Sequence, residues 1–234
     1  MRSNYVQDAY EAKLMELGHK GRWCSREVEE GKFAKDTLWE LAEFETATLI
    51  LVGNHGRKGP KQDETILGSG IQYLSLNAKF PCMIIKDRKE RSQKPDGCLR
   101  YGVCFDGSKK SKKALQTCLN IMRPTDKLTS ITVHENGMLS DDAIKNLVKD
   151  ECTKYGVNKI ESIILNREGD MSTYQTIKQY LKDEAQDINQ HGYIDFVAVG
   201  NQGMNFASKD SEKYLGSVAN AVLRARRMNS IFVP

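Results

Sequence analysis

The run Val197-Ala198-Val199-Gly200-Asn201-Gln202-Gly203, followed by Gly216-Ser217, has an earlier counterpart. That counterpart is Ile50-Leu51-Val52-Gly53-Asn54-His55-Gly56, followed by Gly68-Ser69. A short apolar run that stops on Gly-x-x-Gly is a buried strand delivering the backbone to a tight loop. The Gly-Ser pair opens a helix with apolar periodicity. Strand, glycine loop and helix start, in that order, confine the chain to an alternating α/β architecture. They also bring bare backbone N–H groups toward one point, which suits an anion.

The recurrence sets the domain plan. Gly53 and Gly200 lie 147 residues apart, and Gly68 and Gly216 lie 148 apart, as do Cys82 and Ser230. A period of that length is a whole domain. The 234 residues leave room for one large domain or two small ones. The later copy reads through in full. Its strands are Leu99 to Phe105, Leu128 to His134, about Lys159 to Leu165, Ile194 to Val199, and Ser230 to Val233. Helices alternate with them: one carrying Ala114, Leu115, Cys118, Leu119 and Met122 on a stripe, one at about Asp141 to Tyr155, one at about Thr173 to Asp187, and one through Leu215, Val218, Ala219 and Val222. Five strands alternating with four helices imply a parallel sheet covered on both faces.

The earlier copy is shorter. It reads as a helix (about Asn4 to Leu17), a candidate strand (Arg22 to Val28), a helix (about Ala34 to Phe44), the strand Thr48 to Val52, the glycine loop, a helix and the strand Cys82 to Lys86. Counterparts of about residues 99 to 138 are absent from it. The expected organisation is an incomplete domain over 1–87, a charged linker over 88–98 with Pro95 and Gly97, and a complete domain over 99–234. Without its opening strands, the earlier copy's strand at Thr48 to Val52 has an open edge that needs cover. Another chain, an unusual pairing within this one, or a beginning that lies outside the sequence each accounts for that.

Composition narrows the class. With 39% hydrophobic and 28% charged residues, a soluble globular protein is expected. The net charge of +4 is spread over interleaved acidic and basic residues, so nucleic acid is not an expected partner. No apolar run reaches membrane-spanning length and no signal-peptide pattern opens the chain, so a cytoplasmic or otherwise intracellular protein with no membrane partner is expected. The six cysteines form no Cys-x-x-Cys pair, and neither they nor the four histidines show metal spacing. Buried free thiols in a reducing compartment are the expectation.

In an open parallel sheet a ligand sits beyond the carboxyl ends of the strands, where strand order reverses. Asp106 ends the later copy's first strand and Gly200 its fourth. A carboxylate after the first strand accepts from a ribose hydroxyl or an adenine amine. Gly200 and Gly203 let the main chain approach a phosphate with no Cβ in the way. Gly216-Ser217 adds N–H groups and a hydroxyl at a helix start, where the dipole favours negative charge. Ser217 also suits a plain N-cap.

These motifs resemble the universal stress protein family. The resemblance rests on Gly-x-x-Gly, a spacer and Gly-Ser before a last strand, and on Tyr101-Gly102-Val103-Cys104-Phe105-Asp106-Gly107-Ser108 before an alanine- and leucine-bearing helix. Residues 99–234 resemble one complete family domain, and residues 1 to about 87 the later part of another. The resemblance implies an open doubly wound sheet of strand order 3-2-1-4-5 in two tandem copies, the first incomplete. It implies binding of ATP or another adenine nucleotide, with magnesium as a candidate companion. Asp106, with Gly107 and Ser108, would meet the ribose or adenine side, and the strand end near His134 would line the adenine. Gly200, Asn201, Gln202, Gly203, Gly216 and Ser217, with Val218, would cradle ribose and phosphates. It further implies that Cys82 to Lys86 meets Ser230 to Val233, since last strands pair between domains of this family. Two departures stand out. The spacers between Gly203 and Gly216 (twelve residues) and between Gly56 and Gly68 (eleven) exceed the family's usual length. The earlier copy lacks the first-strand aspartate, so no nucleotide is expected there alone.

Other charged and aromatic residues have plainer readings. Lys109, Lys110, Lys112 and Lys113 crowd a helix start as a solvated face, and Lys209 and Lys213 are candidates to reach phosphate. Arg224, Arg226 and Arg227 suit the negative end of the last helix. His55 reads as a loop residue, and Trp23 and Trp39 as packing residues. Two functions compete: an adenine-nucleotide sensor or regulatory module, and a non-catalytic structural subunit of a larger assembly, with self-association or another chain covering the earlier copy. A dinucleotide enzyme needs Gly-x-Gly-x-x-Gly after the first strand, where this chain has Phe105-Asp106-Gly107-Ser108-Lys109-Lys110. No Walker loop or nucleophilic triad is evident, which leaves slow ATP hydrolysis as the one catalytic activity in view.

Overall fold

The computed structural model describes residues 2–19, 21, 27–54, 69–77, 79–86, 97–135, 139–158, 160–186, 194–202, 215–225 and 228–234. The expectations for Trp23, Cys24, His55, Gly56, Gly68, His191, Gly203, Lys209, Lys213, Arg226 and Arg227 lie outside these residues, as do most of the candidate strand at Arg22 to Val28 and most of the linker. The chain divides into two compact units, Met1–Glu45 and Thr46–Pro234.

The first unit holds two helices, α1 (Arg2–Glu16) and α2 (Ala34–Phe44). α2 matches its expected bounds. Asp36 accepts from the Phe33 N–H at 3.1 Å and so ties down the helix start. Trp39 and Ala42 are the buried side chains of α2, in keeping with a packing role for Trp39.

The second unit is one seven-stranded sheet with helices on both faces. Its strands are β1 (Ile50–Gly53), β2 (Cys82–Ile85), β3 (Arg100–Cys104), β4 (Lys127–Val133), β5 (Ile160–Leu165), β6 (Phe196–Gly200) and β7 (Asn229–Val233). Its helices are α3 (Ser69–Asn77), α4 (Lys109–Ile121), α5 (Asp141–Lys154), α6 (Thr173–Gln186) and α7 (Ser217–Arg224). The order across the sheet is β1-β2-β7-β6-β3-β4-β5. Within 99–234 this is 3-2-1-4-5, as expected. The five strands of 99–234 are parallel, as expected, and the antiparallel pair is β2 with β7 (Cys82↔Phe232, Met83↔Ile231, Ile84↔Ser230). The strands of the earlier region thus extend the later sheet. The meeting of Cys82 to Lys86 with Ser230 to Val233 occurs inside one chain.

Alternation along each strand sorts the core into two layers. Tyr101, Val103 and Phe105 face α4 and α5, in a cluster with Ala114, Leu115, Cys118, Ile144 and Val148. Cys104, Ile131, Val133, Val197 and Val199 face the other way, in a cluster with Ile71 of α3, Ile177 of α6 and Ala219, Val222 and Leu223 of α7. The helix ends follow from local chemistry. Ser108 caps α4, its Oγ accepting from the Ser111 N–H at 3.2 Å. Ser140 caps α5 in the same way, ahead of Asp141 and Asp142 in the first turn. α5 closes on Gly156 at φ 71°, with the Val157 N–H donating back to the Cys152 carbonyl. The described cysteines are all free, and Cys82, Cys104, Cys118 and Cys152 are buried. Burial pushes the Cys82 thiol up to about 12 and the Cys152 thiol to about 11, so both pack as neutral apolar groups.

Two polar joints lock the layers. At the antiparallel seam Lys86 is only 3% exposed. Its Nζ donates to the carbonyls of Leu223 (3.0 Å) and Ala225 (2.6 Å) and lies 3.3 Å from that of Val222. A cation from the end of β2 therefore satisfies the last carbonyls of α7 and meets the negative end of its dipole. Arg224 also lies in the last turn of α7, as expected of a residue suited to the negative helix end, and its Nε donates to Asn220. Between α4 and α5, buried Glu151 accepts from Gln116 at 2.6 Å and from Lys154 at 2.9 Å, with Lys112 at 3.8 Å. The Gln116 bond, aided by the two lysines, outweighs burial and holds this carboxyl below its ordinary range.

Lys86→Met leaves the α7 carbonyls without their donor. It is expected to lower the unfolding free energy by about 1–3 kcal/mol in a urea titration. Glu151→Gln is expected to cost about 1–2 kcal/mol at neutral pH. Because the folded carboxyl is held down, its contribution is present above the unfolded value of about 4.3 and is lost as pH falls through the folded value. The gap between wild type and Glu151→Gln should therefore close below about pH 4, as read from urea midpoints across pH.

Candidate functional site

The switch between β3 and β6 builds the site. Register partners Tyr101 and Phe196 stack with centroids 5.4 Å apart. Asp195 closes the base of the pair: its Oδ2 accepts from the Arg100 N–H at 2.8 Å, and its own N–H donates to the Arg100 carbonyl at 2.8 Å. From this shared base β3 leads to α4 on one face and β6 leads to α7 on the other. The two carboxyl ends part there, and a cavity of about 290 Å³ opens.

Asp106 enters at the end of β3. Gly107 turns the chain at φ 82°, a conformation that favours glycine. The Ser108 N–H donates to Asp106 Oδ1 at 3.0 Å, a local turn that fixes the carboxylate. Ser111 secures the same corner, its hydroxyl donating to the Ser108 carbonyl at 3.0 Å and accepting from the Asp106 N–H at 3.4 Å. Asp106 and Ser111 both line the cavity.

On the opposite side, β6 ends at Gly200. A Cβ built there would lie 2.7 Å from Lys110 Cβ and 2.9 Å from the Lys110 carbonyl carbon. The absence of a side chain at Gly200 thus admits the first turn of α4. Beyond it, the Asn201 N–H donates to the Val233 carbonyl and the Gly216 N–H to the Asn201 carbonyl, each at 2.8 Å. This backbone pair seats Gly216 as the N-cap of α7 and aims the helix start at the cavity. Ser217, Val218 and Ala219 open the helix and line the space. Their N–H groups belong to the first turn, which has no intrahelical acceptor and carries the positive dipole end.

The cavity floor is apolar, built from Cys104, Ile131, Val133, Val199 and Ile177. Burial, with Asp106 nearby, raises the Cys104 thiol to about 12 and keeps it neutral. The rim is polar: Asp106, Ser111, Glu135, Thr173, Gln202 and Ser217. Glu135 accepts a hydrogen bond from the Thr173 hydroxyl, and Arg167 Nη1 lies 3.9 Å from the same oxygen.

Six of the expected residues come together on this cavity: Asp106, Gly200, Gln202, Gly216, Ser217 and Val218. Gly107, Ser108 and Asn201 stand behind it as turn, cap and backbone brace. Gly203 lies outside the described residues. His134 is not among the lining residues; it is exposed and its Nδ1 is 2.9 Å from Asp141 Oδ1. The reason is the strand period of two. Val133 and Glu135 share the cavity side, so the residue between them points away. Glu135, Thr173 and Ser111 were missed by the sequence reading, and alternation counted from Val133 was the available signal for Glu135. The lysines at the start of α4 divide: Lys109 and Lys113 are exposed, while Lys110 packs on Gly200 and Lys112 reaches Glu151. Among the described residues no group of three or more His, Cys, Asp or Glu side chains is placed to hold a metal ion, and no helix is long and apolar enough to cross a membrane.

No protein-family model matches the sequence, and no curated protein does. Solved structures do. A universal stress protein from Archaeoglobus fulgidus DSM 4304 matches 99% of this chain and 75% of its own, with a TM-score of 0.63 and 20% identity. A universal stress protein in complex with cAMP matches 58% of this chain and 96% of its own, with a TM-score of 0.43 and 22% identity. A second one from Archaeoglobus fulgidus matches 58% and 93%, with a TM-score of 0.41 and 16% identity. The first of these matches, over nearly the whole chain, shows the fold: this protein has the universal stress protein fold.

Gly200→Ala forces Lys110 and its backbone away from β6. It is expected to lower stability by about 1–3 kcal/mol, read as a drop in urea midpoint. Gly70→Ala in α3, where a Cβ meets nothing within 4 Å, is the control and should leave the midpoint equal or higher.

Proposed function

We propose that the cavity between β3 and β6 holds an adenine nucleotide and that the protein is a nucleotide-responsive regulatory module. One observation carries this reading: Asp106 and the start of α7 open on the same cavity from opposite sides of the strand switch. A ribose or base donates to the Asp106 carboxylate, and phosphate oxygens take the N–H groups of Ser217 and Val218. The apolar floor covers the base. Magnesium, where present, arrives with the phosphates rather than on a protein ligand set. On this reading the earlier region, which lacks the first-strand aspartate, holds no nucleotide by itself. Its strands do follow the later register, Gly53 facing Ile85 as Gly200 faces Val233, and the Asn54 N–H meets the Ile85 carbonyl at 2.8 Å as Asn201 meets Val233. We read β1, α3 and β2 as part of a second copy without the aspartate.

A structural subunit of a larger assembly is the second reading. It is favoured by the Gly216 N–H already serving the Asn201 carbonyl and by α4 filling the space at Gly200, both of which narrow the room for phosphate.

Calorimetric titration of the full chain with AMP, ADP and ATP separates the two. Saturable binding is expected, weakened roughly 10- to 100-fold by Asp106→Ala, the loss of one hydrogen bond to a charged group. Absence of heat with all three nucleotides, together with native mass spectra free of bound nucleotide, would favour the structural subunit.

A further inference from the structure

We propose that Glu135 selects the base, accepting a hydrogen bond from the exocyclic amine of a 6-aminopurine; this rests on the nucleotide reading of the cavity. The topology sets the direction of the ligand. The start of α7 stands beside β6, Asp106 ends β3 and Glu135 follows β4, in that order across the sheet. Strands lie about 4.8 Å apart, so Glu135 sits roughly 10 Å from the β6 side. The two ends of the cavity differ in charge. The α7 end carries partial positive charge and draws an anion. The Glu135 end carries a carboxylate, which repels phosphate and accepts from N–H or O–H donors. A nucleotide that satisfies both ends puts phosphate at Ser217, ribose at Asp106 and the base at Glu135.

The surroundings of Glu135 decide which base edge it takes. Its Oε1 accepts from Thr173, the first residue of α6, and faces Arg167 at 3.9 Å. The side chain is thereby fixed rather than left to swing, its burial helped by the apolar wall at Val133 and Ile177. A carboxylate accepts at up to about four lone-pair positions, so Glu135 can hold Thr173 and a ligand amine together. A guanine edge presents two adjacent donors and wants both oxygens at once. With the Thr173 hydroxyl and Arg167 both directed at Oε1, a two-point pairing would crowd a third partner onto that oxygen, which suits the single contact of an adenine amine.

The test compares AMP with purine riboside 5′-monophosphate, the same molecule without its 6-amino group, and with GMP. Each is titrated into the full chain as wild type, Glu135→Gln and Glu135→Ala. Wild type is expected to prefer AMP over the deaminated analogue by about tenfold or more, the loss of one charge-assisted hydrogen bond. The preference should vanish in Glu135→Ala and persist in part in Glu135→Gln, which keeps an acceptor for Thr173 and covers the case of an unfolded alanine variant. A purely structural role would weaken all three ligands alike and leave their ratio unchanged. Equal binding of AMP and its analogue by wild type, a preference that survives Glu135→Ala, or tighter binding of GMP overturns the role given to Glu135 while leaving the nucleotide site standing. Failure of every nucleotide to bind wild type overturns the nucleotide reading and this role with it.

Discussion

The pairing of β3 with β6 is the constraint on which the molecule depends. Stacked Tyr101 and Phe196 and the reciprocal bonds between Arg100 and Asp195 hold two parallel strands side by side. Because α4 returns over one face and α7 over the other, the strand ends cannot be sealed by either helix. A cleft at that point is a geometric result of the winding, independent of what fills it. Residues placed at the two strand ends then meet across it, which is why Asp106 and Ser217, far apart in sequence, line one cavity.

Close packing tunes that cleft. Gly200 admits the first turn of α4, and the α4 cap at Ser108 in turn holds Asp106 through the Gly107 turn. The site and the sheet are therefore one mechanical unit. At the far side of α7, Lys86 reaches from the end of β2 to the last helical carbonyls. The antiparallel seam between β2 and β7 thus braces the same helix whose N-terminus faces the cavity. The earlier region thereby does structural work on the later one.

Much of this was legible locally. The bounds of α2 and the apolar stripe of α4 follow from periodicity and turn signals, and the 3-2-1-4-5 order within 99–234 is what the family resemblance implies. Asp106 and Gly216-Ser217 were legible because each sits at a strand end or helix start marked by its own sequence signal. What escaped was long-range or a matter of parity. Lys86 caps a helix more than 130 residues away, and nothing near it in sequence points there. Arg224, which the local pattern does place at that helix end, is there too but bonds Asn220. The strand end near His134 does reach the cavity, but through Val133 and Glu135, while His134 itself is exposed beside Asp141. Gly200 lines the cavity as expected, and the close approach of Lys110 to the position of its missing Cβ had no signal in the sequence. The meeting of β2 with β7 was expected from the resemblance, but its antiparallel direction had no signal in the sequence.

The central claim is that the cleft between β3 and β6 is a nucleotide pocket. Its most direct measurement is an NMR titration of the isotope-labelled full chain with AMP, following backbone amides. Saturable shifts are expected at Asp106, Gln202, Ser217 and Val218, with Asn54 in the earlier region unmoved. Saturating AMP that leaves those four amides in place, or that moves Asn54 instead, would contradict a pocket at this cleft.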